Sequence, residues 1–344
     1  MSSLIEIDGS KFEGGGAILR VACALSAVTK KPCRVFNIRK SRPNPGLATQ
    51  HLLGIQALSQ LCDGKLKGDF LGSEEIEFYP GEIKSKELQV KIETAGSITL
   101  VLQTLIPPAL FAPEPIKITF EGGATDTFFS PTFDYFRYVF LKILEKMKVK
   151  TEVNILKRGY YPEGGAKLEI VVFPSKLNNL NLTERGRFKE ITVISGASEF
   201  LKDKKVAERQ LAGVREVLGK LNLPTEEKVE YYPTKCPGSQ ICLIVKFENT
   251  IIGTDNLGKL SKRAEDVGKE AALELLKEQK SEACLDKHLA DQILPSLALA
   301  EGKSQITVSE TTNHCKTNIW VIEKFLDGKF EIKGNLIVWK RDSI

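Results

Sequence analysis

The segment AILRVACAL, residues 17–25, has the apolar period of a helix, and Arg20 is the polar exception on its apolar face. Two later segments share this character: ITLVLQTLI, residues 98–106, carries Gln103, and LADQILPSLALA, residues 289–300, carries Gln292. Unequal distances between the three segments exclude a solenoid array of fixed period. Duplicated βα units around one core explain the pattern, with chance similarity among apolar helices as the alternative.

Three glycine-bearing segments also resemble one another, and we interpret them as further traces of the duplication. They are KFEGGGAILR (11–20), TFEGGATDTF (119–128) and YYPEGGAKLEI (160–170). Short β-like runs alternate with helices around them: residues 33–38 and 116–124 are typical of strands, and residues 46–62 of an amphipathic helix. We therefore predict an α/β fold with helices and sheets in layers.

The composition changes near residue 180, where the polar stretch SKLNNLNLTERGRF is rich in asparagine. The patterns that follow predict a strand at 190–196, a helix at 203–221, strands at 229–234 and 241–247, and a helix at 258–279. Such a β-α-β-β-α pattern can form a small domain by itself. We predict a large domain of residues 1–182 plus 280–344, with an inserted α/β domain of residues 183–279.

Composition excludes several classes of protein. The 344 residues are 42% hydrophobic and 27% charged, as in soluble globular proteins, and no run of about 18 apolar residues predicts a membrane span. The start, MSSLIEIDGS, is not a secretory signal, and the seven cysteines form no CxxC pair. These features favour free thiols in the reducing cytoplasm. A net charge of +5 is weak evidence for a nucleic-acid partner.

Several common nucleotide and hydrolase motifs are absent from the sequence. It contains no GxxxxGK[ST], no GxGxxG that opens a helix after a strand, no HExxH and no GxSxG. The Lys-x-Asp-Gly signature of lysine-dependent ligases is also missing. If the protein uses ATP, it binds ATP by another route.

The first positive signal is IDGSKFEGGGAILR, residues 7–20. Successive glycines before a helix let backbone N–H groups approach a phosphate closely. Glu13 precedes them, and a carboxylate beside bound phosphates commonly holds Mg²⁺. A tight turn with a solvated glutamate is the alternative.

The second signal is NIRKSRPNPGLATQH, residues 37–51, in which Arg39, Lys40 and Arg42 crowd one loop just after Arg34. Prolines stiffen the loop, and guanidinium groups bind phosphate oxygens in bidentate fashion. Aromatic residues are nearly absent here, so the loop suits a terminal phosphate better than a track of stacked bases. A solvated cationic loop is the alternative.

The third signal is SETTNHCKTNIWVIEKFLDG, residues 309–328, which holds one of the chain's three histidines. Thr312 and Asn313 are candidate N-cap residues, so His314 is predicted at the N-terminus of a helix. The positive end of that helix favours a neutral imidazole and a bound phosphate, and a neutral imidazole nitrogen can attack phosphorus. A structural role is the alternative for an isolated histidine.

The fourth signal is KHLADQILP, residues 287–295. His288, Asp291 and Gln292 fall within one helical turn, at i, i+3 and i+4. Such a cluster can bind a nucleoside or orient a neighbouring group. A helix cap with solvated polar residues is the alternative.

Taken together and in this order, these segments resemble the RNA 3′-terminal phosphate cyclase family over nearly the whole chain. The segments that carry the resemblance are DGSxxEGGGAILR, IRKSRPNPGLATQHL, AGSITLVLQTLIP, RGYYPEGGA, HLADQILP and HCKTNIWVIEKF. The resemblance implies a large domain of three repeated βαβαββ-like units with a small inserted α/β domain.

The resemblance also implies an ATP-dependent ligase reaction in three steps. A histidine attacks the α-phosphorus of ATP, which gives histidine–AMP and pyrophosphate. AMP then passes to an RNA 3′-phosphate, and the vicinal 2′-hydroxyl closes a 2′,3′-cyclic phosphate and expels AMP. The implied requirements are ATP, Mg²⁺ or Mn²⁺, and an RNA with a 3′-terminal phosphate.

Family positions carry over to this chain as expected roles. His314 matches the nucleophile, and Glu13 matches the residue expected near the divalent metal ion. The positions expected around the ATP and RNA phosphates are Arg20, Arg39, Arg42, Gln50 and Gln103. Those expected around the nucleoside and the histidine are Pro131, His288, Asp291 and Gln292. The family often has an aromatic residue in place of His288, whose imidazole can still stack on adenine.

Two alternatives from other classes stay open at this point. A second branch of the family lacks the nucleophilic histidine and acts in ribosome biogenesis; His314 followed by CKTN argues against membership of that branch. An RNA-binding factor of this kind predicts salt-dependent RNA binding without an AMP adduct. A small-molecule transferase with the same repeated units predicts no response to RNA ends. The sequence leaves the oligomeric state and the cellular RNA open.

Overall fold

A computed structural model describes residues 4–12, 14–84 and 87–341 of the chain. Its N-terminal part is a βαβαββ unit in which β1 pairs parallel to β2, while β4 pairs antiparallel to β2 and β3 in the order β1-β2-β4-β3. The elements are β1 (Ile5–Asp8), α1 (Gly16–Thr29), β2 (Cys33–Phe36), α2 (Thr49–Leu61), β3 (Lys65–Lys67) and β4 (Ile76–Tyr79).

A second unit repeats this connectivity and strand order, β5-β6-β8-β7, with the same pattern of parallel and antiparallel pairs. Alternate side chains of β5, namely Leu88, Val90 and Ile92, are buried beneath the helices, as expected for a half-buried strand. Its elements are β5 (Leu88–Ser97), α3 (Ile98–Ala109), β6 (Ile116–Ala124), α4 (Phe133–Tyr135), a π-helical turn (Phe136–Phe140), α5 (Leu141–Lys146), β7 (Thr151–Lys157) and β8 (Lys167–Val172).

After the short strand β9 (Asn181–Leu182), the chain builds a separate sheet in the order β11-β10-β12-β13, covered by two helices. These elements enclose a second hydrophobic cluster that includes Ile191, Val214 and Leu275. The elements are β10 (Phe188–Ser198), α6 (Val206–Leu218), β11 (Thr225–Tyr232), β12 (Ser239–Phe247), β13 (Ile251–Leu257) and α7 (Ala264–Lys280), with 3₁₀ turns at Glu199–Leu201 and Gly219–Leu221. The domain boundaries at 183 and 279 stay a prediction.

The predicted β-α-β-β-α order within this region is wrong in one respect, because β13 stands between β12 and α7. The sequence IIGTDNL lacks clear alternation, and antiparallel pairing with β12 holds it extended. The helix predicted from residue 258 begins only at Ala264, since Ser261 has a left-handed φ of 65° that a continuous helix does not allow.

The two helices α6 and α7 approach closely at a pair of glycines. A Cβ atom on Gly213 would lie 1.9 Å from the Glu265 carbonyl oxygen, and one on Gly268 would lie 1.9 Å from the Gln210 carbonyl oxygen. Side chains at these two positions would force the helix backbones apart.

The chain then returns to complete a third unit, in which β9 pairs parallel to β14 and the strand order is β9-β14-β16-β15. Its remaining elements are α8 (Lys287–Leu299), β14 (Ser304–Thr307), α9 (Asn313–Phe325), β15 (Gly328–Lys333) and β16 (Leu336–Arg341). The predicted α/β fold with three repeated βαβαββ units is confirmed. The polar-marked helices of the sequence are α1, α3 and α8, which are the first helices of the three units.

The glycine-bearing segments, in contrast, do not occupy equivalent places in the units. The described residues of the first segment belong to the β1–α1 turn and the start of α1, the second segment covers the end of β6 and the loop after it, and the third leads from the β7–β8 connection into β8. The interpretation of these segments as traces of the duplication is therefore wrong. Glycine recurs at tight turns and close approaches for reasons that differ from one place to another.

A single hydrophobic cluster joins side chains from all three units, including Leu25, Leu105 and Leu297 from their first helices. All seven cysteines are buried free thiols. Within residues 4–12, 14–84 and 87–341, we find no helix with the length and apolar character needed to cross a membrane.

A buried polar network ties the inserted region to the second unit. Arg158, which follows β7, makes ion pairs with Asp126 and Asp134, and its guanidinium lies 4.6 Å from the ring centre of Tyr232 in β11. Gln240 of β12 donates from Nε2 to Asp134 at 3.2 Å. Burial acts to lower the pKa of Arg158, but Asp134 and Asp126 outweigh it and raise that pKa above its ordinary value.

Asp286 connects both the second unit and the inserted region to α8. Its carboxylate caps that helix by accepting from the backbone N–H groups of His288 and Leu289, at 3.1 and 2.9 Å. It also accepts from the Tyr135 hydroxyl at 2.6 Å and from the Gly253 N–H at 3.0 Å. The orientation of α8 therefore depends on contacts with the second unit and with β13 together.

Candidate active site

The first helices of the three units meet around a small polar cavity. Arg20 from α1, Gln103 from α3, and Asp291 and Gln292 from α8 line it. Its volume is about 30 Å³, which is enough for one or two water molecules. The structure thus brings together four side chains that the sequence marked separately.

Burial shifts the pKa values of the two charged cavity residues, Arg20 and Asp291, in opposite directions. It lowers the pKa of Arg20 to about 10, an effect that the charge of Asp291 opposes. Burial also raises the pKa of Asp291 to about 7, opposed by Arg20. The pair is therefore held in a poorly solvated place, where an added anion interacts strongly with the guanidinium.

Two amide oxygens at the cavity lack donors. Gln292 Oε1 and Asn318 Oδ1 are buried and accept no hydrogen bond from the residues that the structure describes. Asn318 donates from Nδ2 to the Asp291 carbonyl oxygen at 2.9 Å, which fixes its amide. Unsatisfied buried acceptors are costly, so the cavity is suited to a bound donor such as water or a ligand.

His314 is the second residue of α9, on the same helix face as Asn318 four residues later. Thr312 is the N-cap of this helix and accepts from the Cys315 N–H at 3.2 Å, as the sequence indicated. Because Asn318 lines the cavity, the i, i+4 relation puts His314 about one helical turn from the cavity lining. The imidazole is exposed.

The turn between β1 and α1 is held by Asp8, whose Oδ1 accepts from the Ser10 N–H at 3.0 Å and from Asn37 Nδ2 at 3.1 Å. Burial acts to raise the pKa of Asp8, but these hydrogen bonds outweigh it and lower the pKa. Gly14 has a left-handed φ of 58°, which glycine adopts without strain. Glu13, the predicted metal-binding residue, lies outside the described residues.

The cationic loop that contains Arg39 and Arg42 lies beside this turn, and these two arginines differ in burial. Arg39 is half-buried and donates from Nη1 to the Gly46 carbonyl oxygen at 2.8 Å. Burial lowers its pKa, and Arg42 adds to this effect. Arg42 itself is exposed, whereas Arg34 is held on the sheet surface by ion pairs with Glu6 and Glu75 at 2.9 and 2.8 Å. Arg34 therefore does not belong to the site.

Gln50 and His51 lie in the first turn of α2. Gln50 Oε1 accepts from the N–H of Ser97, the N-cap of α3, at 3.5 Å. His51 is buried against Gly16, where a Cβ atom would lie 2.0 Å from its Nε2. Its Nδ1 accepts from the Ala48 N–H at 3.3 Å, so Nε2 carries the hydrogen of the neutral ring.

His51 is a site residue that the sequence analysis missed. Burial lowers its pKa to about 3, with further lowering from Arg20 and Arg39. The imidazole is therefore a neutral donor beside the first turn of α1. No sequence signal separates it from its neighbour Gln50, whereas Asn318 could have been found from its i+4 spacing to His314.

His288 is the second residue of α8 and lies near Asp255, which also contacts the residue after Pro131; neither His288 nor Pro131 lines the cavity. Thr132, next to Pro131, donates its N–H to Asp255 at 2.6 Å, and the Pro131 carbonyl accepts from Thr99 Oγ1 at 3.1 Å. Desolvation by the surrounding protein lowers the pKa of His288, an effect that the nearby Asp255 charge opposes. His288 lies about one helical turn before Asp291 and Gln292 in α8.

No cluster of three or more His, Cys, Asp or Glu side chains suited to a metal ion occurs in the described part of the chain. A magnesium ion usually takes one or two carboxylates and completes its shell with water and substrate phosphates. The metal site expected here, with one glutamate beside bound phosphates, would give Mg²⁺ ligands of this kind.

Comparison with known proteins gives a consistent result. The family model described as RNA 3′-terminal phosphate cyclase matches residues 11–332. Proteins named RNA 3′-terminal phosphate cyclase from Pyrococcus abyssi and Pyrococcus furiosus are each 45% identical over 334 residues, covering 97% of this chain and 96% of theirs. The protein of that name from Ignicoccus hospitalis is 43% identical over 342 residues, with 97% of this chain and 96% of the relative covered.

Proposed function

Because the chain belongs to the RNA 3′-terminal phosphate cyclase family, we propose that it converts an RNA 3′-terminal phosphate to a 2′,3′-cyclic phosphate through an ATP-derived AMP carried on His314. The observation that carries the proposal is the cavity at the meeting point of the three units. It gathers Arg20, Gln103, Asp291 and Gln292 from remote parts of the sequence beneath the helix that presents His314.

In the first step a nitrogen of the His314 imidazole attacks the α-phosphorus of ATP. The N–P bond forms as the bond to the bridging oxygen breaks, and pyrophosphate leaves with that electron pair. Arg20 and Arg39 both lie near His51, where their charges help to lower its pKa, and they stabilise negative charge on the phosphoryl oxygens. His51 adds a neutral donor that does not compete for a proton.

In the second step an oxygen of the RNA 3′-phosphate attacks the same phosphorus and releases the imidazole. A phosphate monoester is a poor electrophile, and AMP attached to it becomes a good leaving group. In the third step the neighbouring 2′-hydroxyl loses its proton and attacks the 3′-phosphorus, so that the ring closes and AMP departs.

The proposed nucleoside subsite lies between Pro131 and His288, where an imidazole of lowered pKa is mostly neutral and can stack on adenine. Glu13 is the residue that we propose to hold Mg²⁺ or Mn²⁺, which would neutralise charge on the triphosphate. The proposed place of action is the cytoplasm.

The proposal is tested by intact-mass analysis after incubation with ATP and Mg²⁺. The parent protein should gain the mass of one AMP, stable in alkali and lost in acid, as expected for a phosphoramidate. His314→Ala should gain nothing. Lys324→Ala is the matched control: it changes an exposed side chain in the last turn of the same helix and should still form the adduct.

An RNA with a 3′-phosphate should discharge the adduct, and the same RNA with a 3′-hydroxyl should leave it intact. Absence of an adduct in the parent protein, under conditions where ATP binds, would contradict the histidine mechanism. RNA binding without an adduct would then favour the non-catalytic factor.

A further inference from the structure

An aromatic patch, formed by the half-buried Phe128 and the exposed Phe129 and Tyr161, lies next to the proposed nucleoside subsite. Phe129 is fully exposed, at 101% of its reference surface, and Tyr161 is 56% exposed. The rings of Phe128 and Tyr161 meet edge to face, with centroids 5.5 Å apart. None of these rings has a part in the mechanism above.

The backbone at Phe129 is held in an unfavourable conformation. Its φ is 62°, in the left-handed region that a bulky residue rarely adopts. The Ser130 hydroxyl donates to the Thr127 carbonyl oxygen at 2.9 Å and secures the turn. Because the ring is exposed, its burial does not compensate for this strain, and strain of this kind is concentrated at functional sites.

The patch borders the site through the chain itself. Phe129 is two residues before Pro131, so their Cα atoms are at most about 7.6 Å apart. The Pro131 carbonyl is fixed to Thr99 in the first turn of α3, whose N-cap Ser97 is bonded to Gln50. A substrate that enters the site can therefore reach the ring of Phe129.

Two lysines lie near the patch. Lys259 Nζ lies 5.5 Å from the ring centre of Phe128, and the side chain of Lys235 packs over Gly165 in the loop that carries Tyr161. Both lysines are exposed and both come from the inserted region. Exposed aromatic rings beside cations are the features by which proteins hold single-stranded nucleic acid without base preference.

We propose that the aromatic patch binds the single-stranded 3′ end of the RNA. Bases that precede the terminal nucleotide stack on Phe129, and Lys259 and Lys235 contact the phosphates between them. The proposal rests on the proposed function, since it takes RNA as the substrate. It also gives the inserted region a role, because that region supplies the cations. Aromatic residues are nearly absent from the basic loop, and the patch forms from segments remote from that loop in the chain.

The first test compares Phe129→Asn with Phe129→Tyr. Asparagine tolerates the left-handed backbone and removes the ring, whereas tyrosine keeps a ring of the same size. The dissociation constant of a labelled oligonucleotide with a 3′-phosphate is measured by fluorescence anisotropy, and AMP-adduct formation is measured without RNA. We expect about 5- to 20-fold weaker RNA binding for the asparagine variant and less than about 2-fold change for the tyrosine variant.

Adduct formation should be the same in both variants as in the parent. Phe111→Asn is the matched control, since Phe111 is 45% exposed beyond the far end of α3 and should not affect RNA binding. Unchanged RNA binding by Phe129→Asn would overturn the proposal. Equal loss of RNA binding and adduct formation would also overturn it, because the patch would then serve the nucleotide.

A second test removes from the RNA the bases that are proposed to stack on Phe129. An oligonucleotide with abasic residues at the three positions before its 3′-terminal nucleotide should bind the parent protein more weakly, by the same factor as the Phe129→Asn change. The abasic oligonucleotide and the intact RNA should bind Phe129→Asn with equal affinity. If the abasic residues instead weaken binding to Phe129→Asn by the same factor as binding to the parent, the bases do not stack on Phe129 and the proposal fails.

These experiments separate the two proposals. Failure of the parent protein to form an AMP adduct contradicts the proposed function, while the anisotropy measurements still decide whether the patch binds RNA. For the lysine contact, Lys259→Gln should reduce the slope of log K against log salt by about 0.7, and an unchanged slope would remove Lys259 from the proposal.

Discussion

His51 is packed against Gly16 between two arginines, and its protonation follows from that position. Because Nδ1 accepts from a backbone N–H and burial opposes a charge, the ring is neutral with a donor at Nε2. Because its pKa is about 3, the ring stays a neutral donor at neutral pH and can stabilise a phosphoryl oxygen there.

Two substitutions at His51 separate its nitrogens. The amide nitrogen of glutamine can occupy the place of Nε2, whereas asparagine can replace only Nδ1 and its bond to Ala48. We expect the initial rate of AMP-adduct formation to fall by about 10²-fold or more in His51→Asn, and by less than about 10-fold in His51→Gln. Equal rates in the two variants would show that the Nε2 donor has no part in the reaction.

Asp291 gives stability a pH dependence. Its native pKa of about 7 lies above the ordinary value of 3.8, so between these values the native state binds more protons than the unfolded state. The free energy of unfolding should therefore fall as pH rises from about 4 to 7, by at most about 1.4 kcal/mol per pH unit, and level off above 7. Urea unfolding at several pH values, with Asp291→Asn as reference, measures this difference. A difference that does not change with pH would contradict the raised pKa.

At the scale of elements, the placement of His314 depends on where α9 begins. Thr312 ends the extended chain and starts the helix by accepting from the Cys315 N–H. Asp286 does the same for α8, from a buried position shared with Tyr135. The two helices meet through the bond from Asn318 to the Asp291 carbonyl, so both caps contribute to the geometry of the cavity rim.

Removal of the α9 cap should affect stability and reaction rate together. Thr312→Ala should lower the free energy of unfolding by about 1 kcal/mol, because the first turn of the helix loses an acceptor. The rate of AMP-adduct formation should also fall several-fold as that turn frays. Thr312→Ser keeps the acceptor and should restore both quantities. A destabilised Thr312→Ala variant with the full rate would show that the cap does not position His314.

At the scale of the whole molecule, the buried network around Arg158 joins regions that are far apart in sequence. Its two carboxylate partners come from the second unit, and Tyr232 and Gln240 come from the inserted sheet. Buried charges of this kind are costly when one partner is removed.

Replacement of Arg158 by methionine should lower the free energy of unfolding by about 3–5 kcal/mol, since Asp126 and Asp134 are left buried without their cation. Guanidinium chloride unfolding measures the change. The exposed pair between Lys142 and Glu145 provides the control, and Lys142→Met should cost less than about 1 kcal/mol. Recovery of stability when Asp126→Asn and Asp134→Asn are added to Arg158→Met would assign the loss to the unpaired charges. Equal losses at Arg158 and Lys142 would contradict the account.

The sequence by itself determined the fold class, most helices and the family. Periodicity depends on local burial, so α1, α3, β6 and α9 could be predicted within a few residues of their observed bounds. Hydrophobic periodicity also identified Arg20, Gln103 and Gln292 as candidate site residues, because a polar residue on an apolar helix face stands out without any knowledge of the neighbouring helices.

The tertiary structure alone decided how those positions meet. Three helices that lie far apart in the sequence converge because each is the first helix of a repeated unit, and the pairing of strands sets that arrangement. The burial of His51 against Gly16, the extended course of β13 and the contact of Lys259 with the ring of Phe128 also depend on contacts between remote segments. Local sequence does not encode such contacts, since each depends on which surfaces the rest of the chain presents.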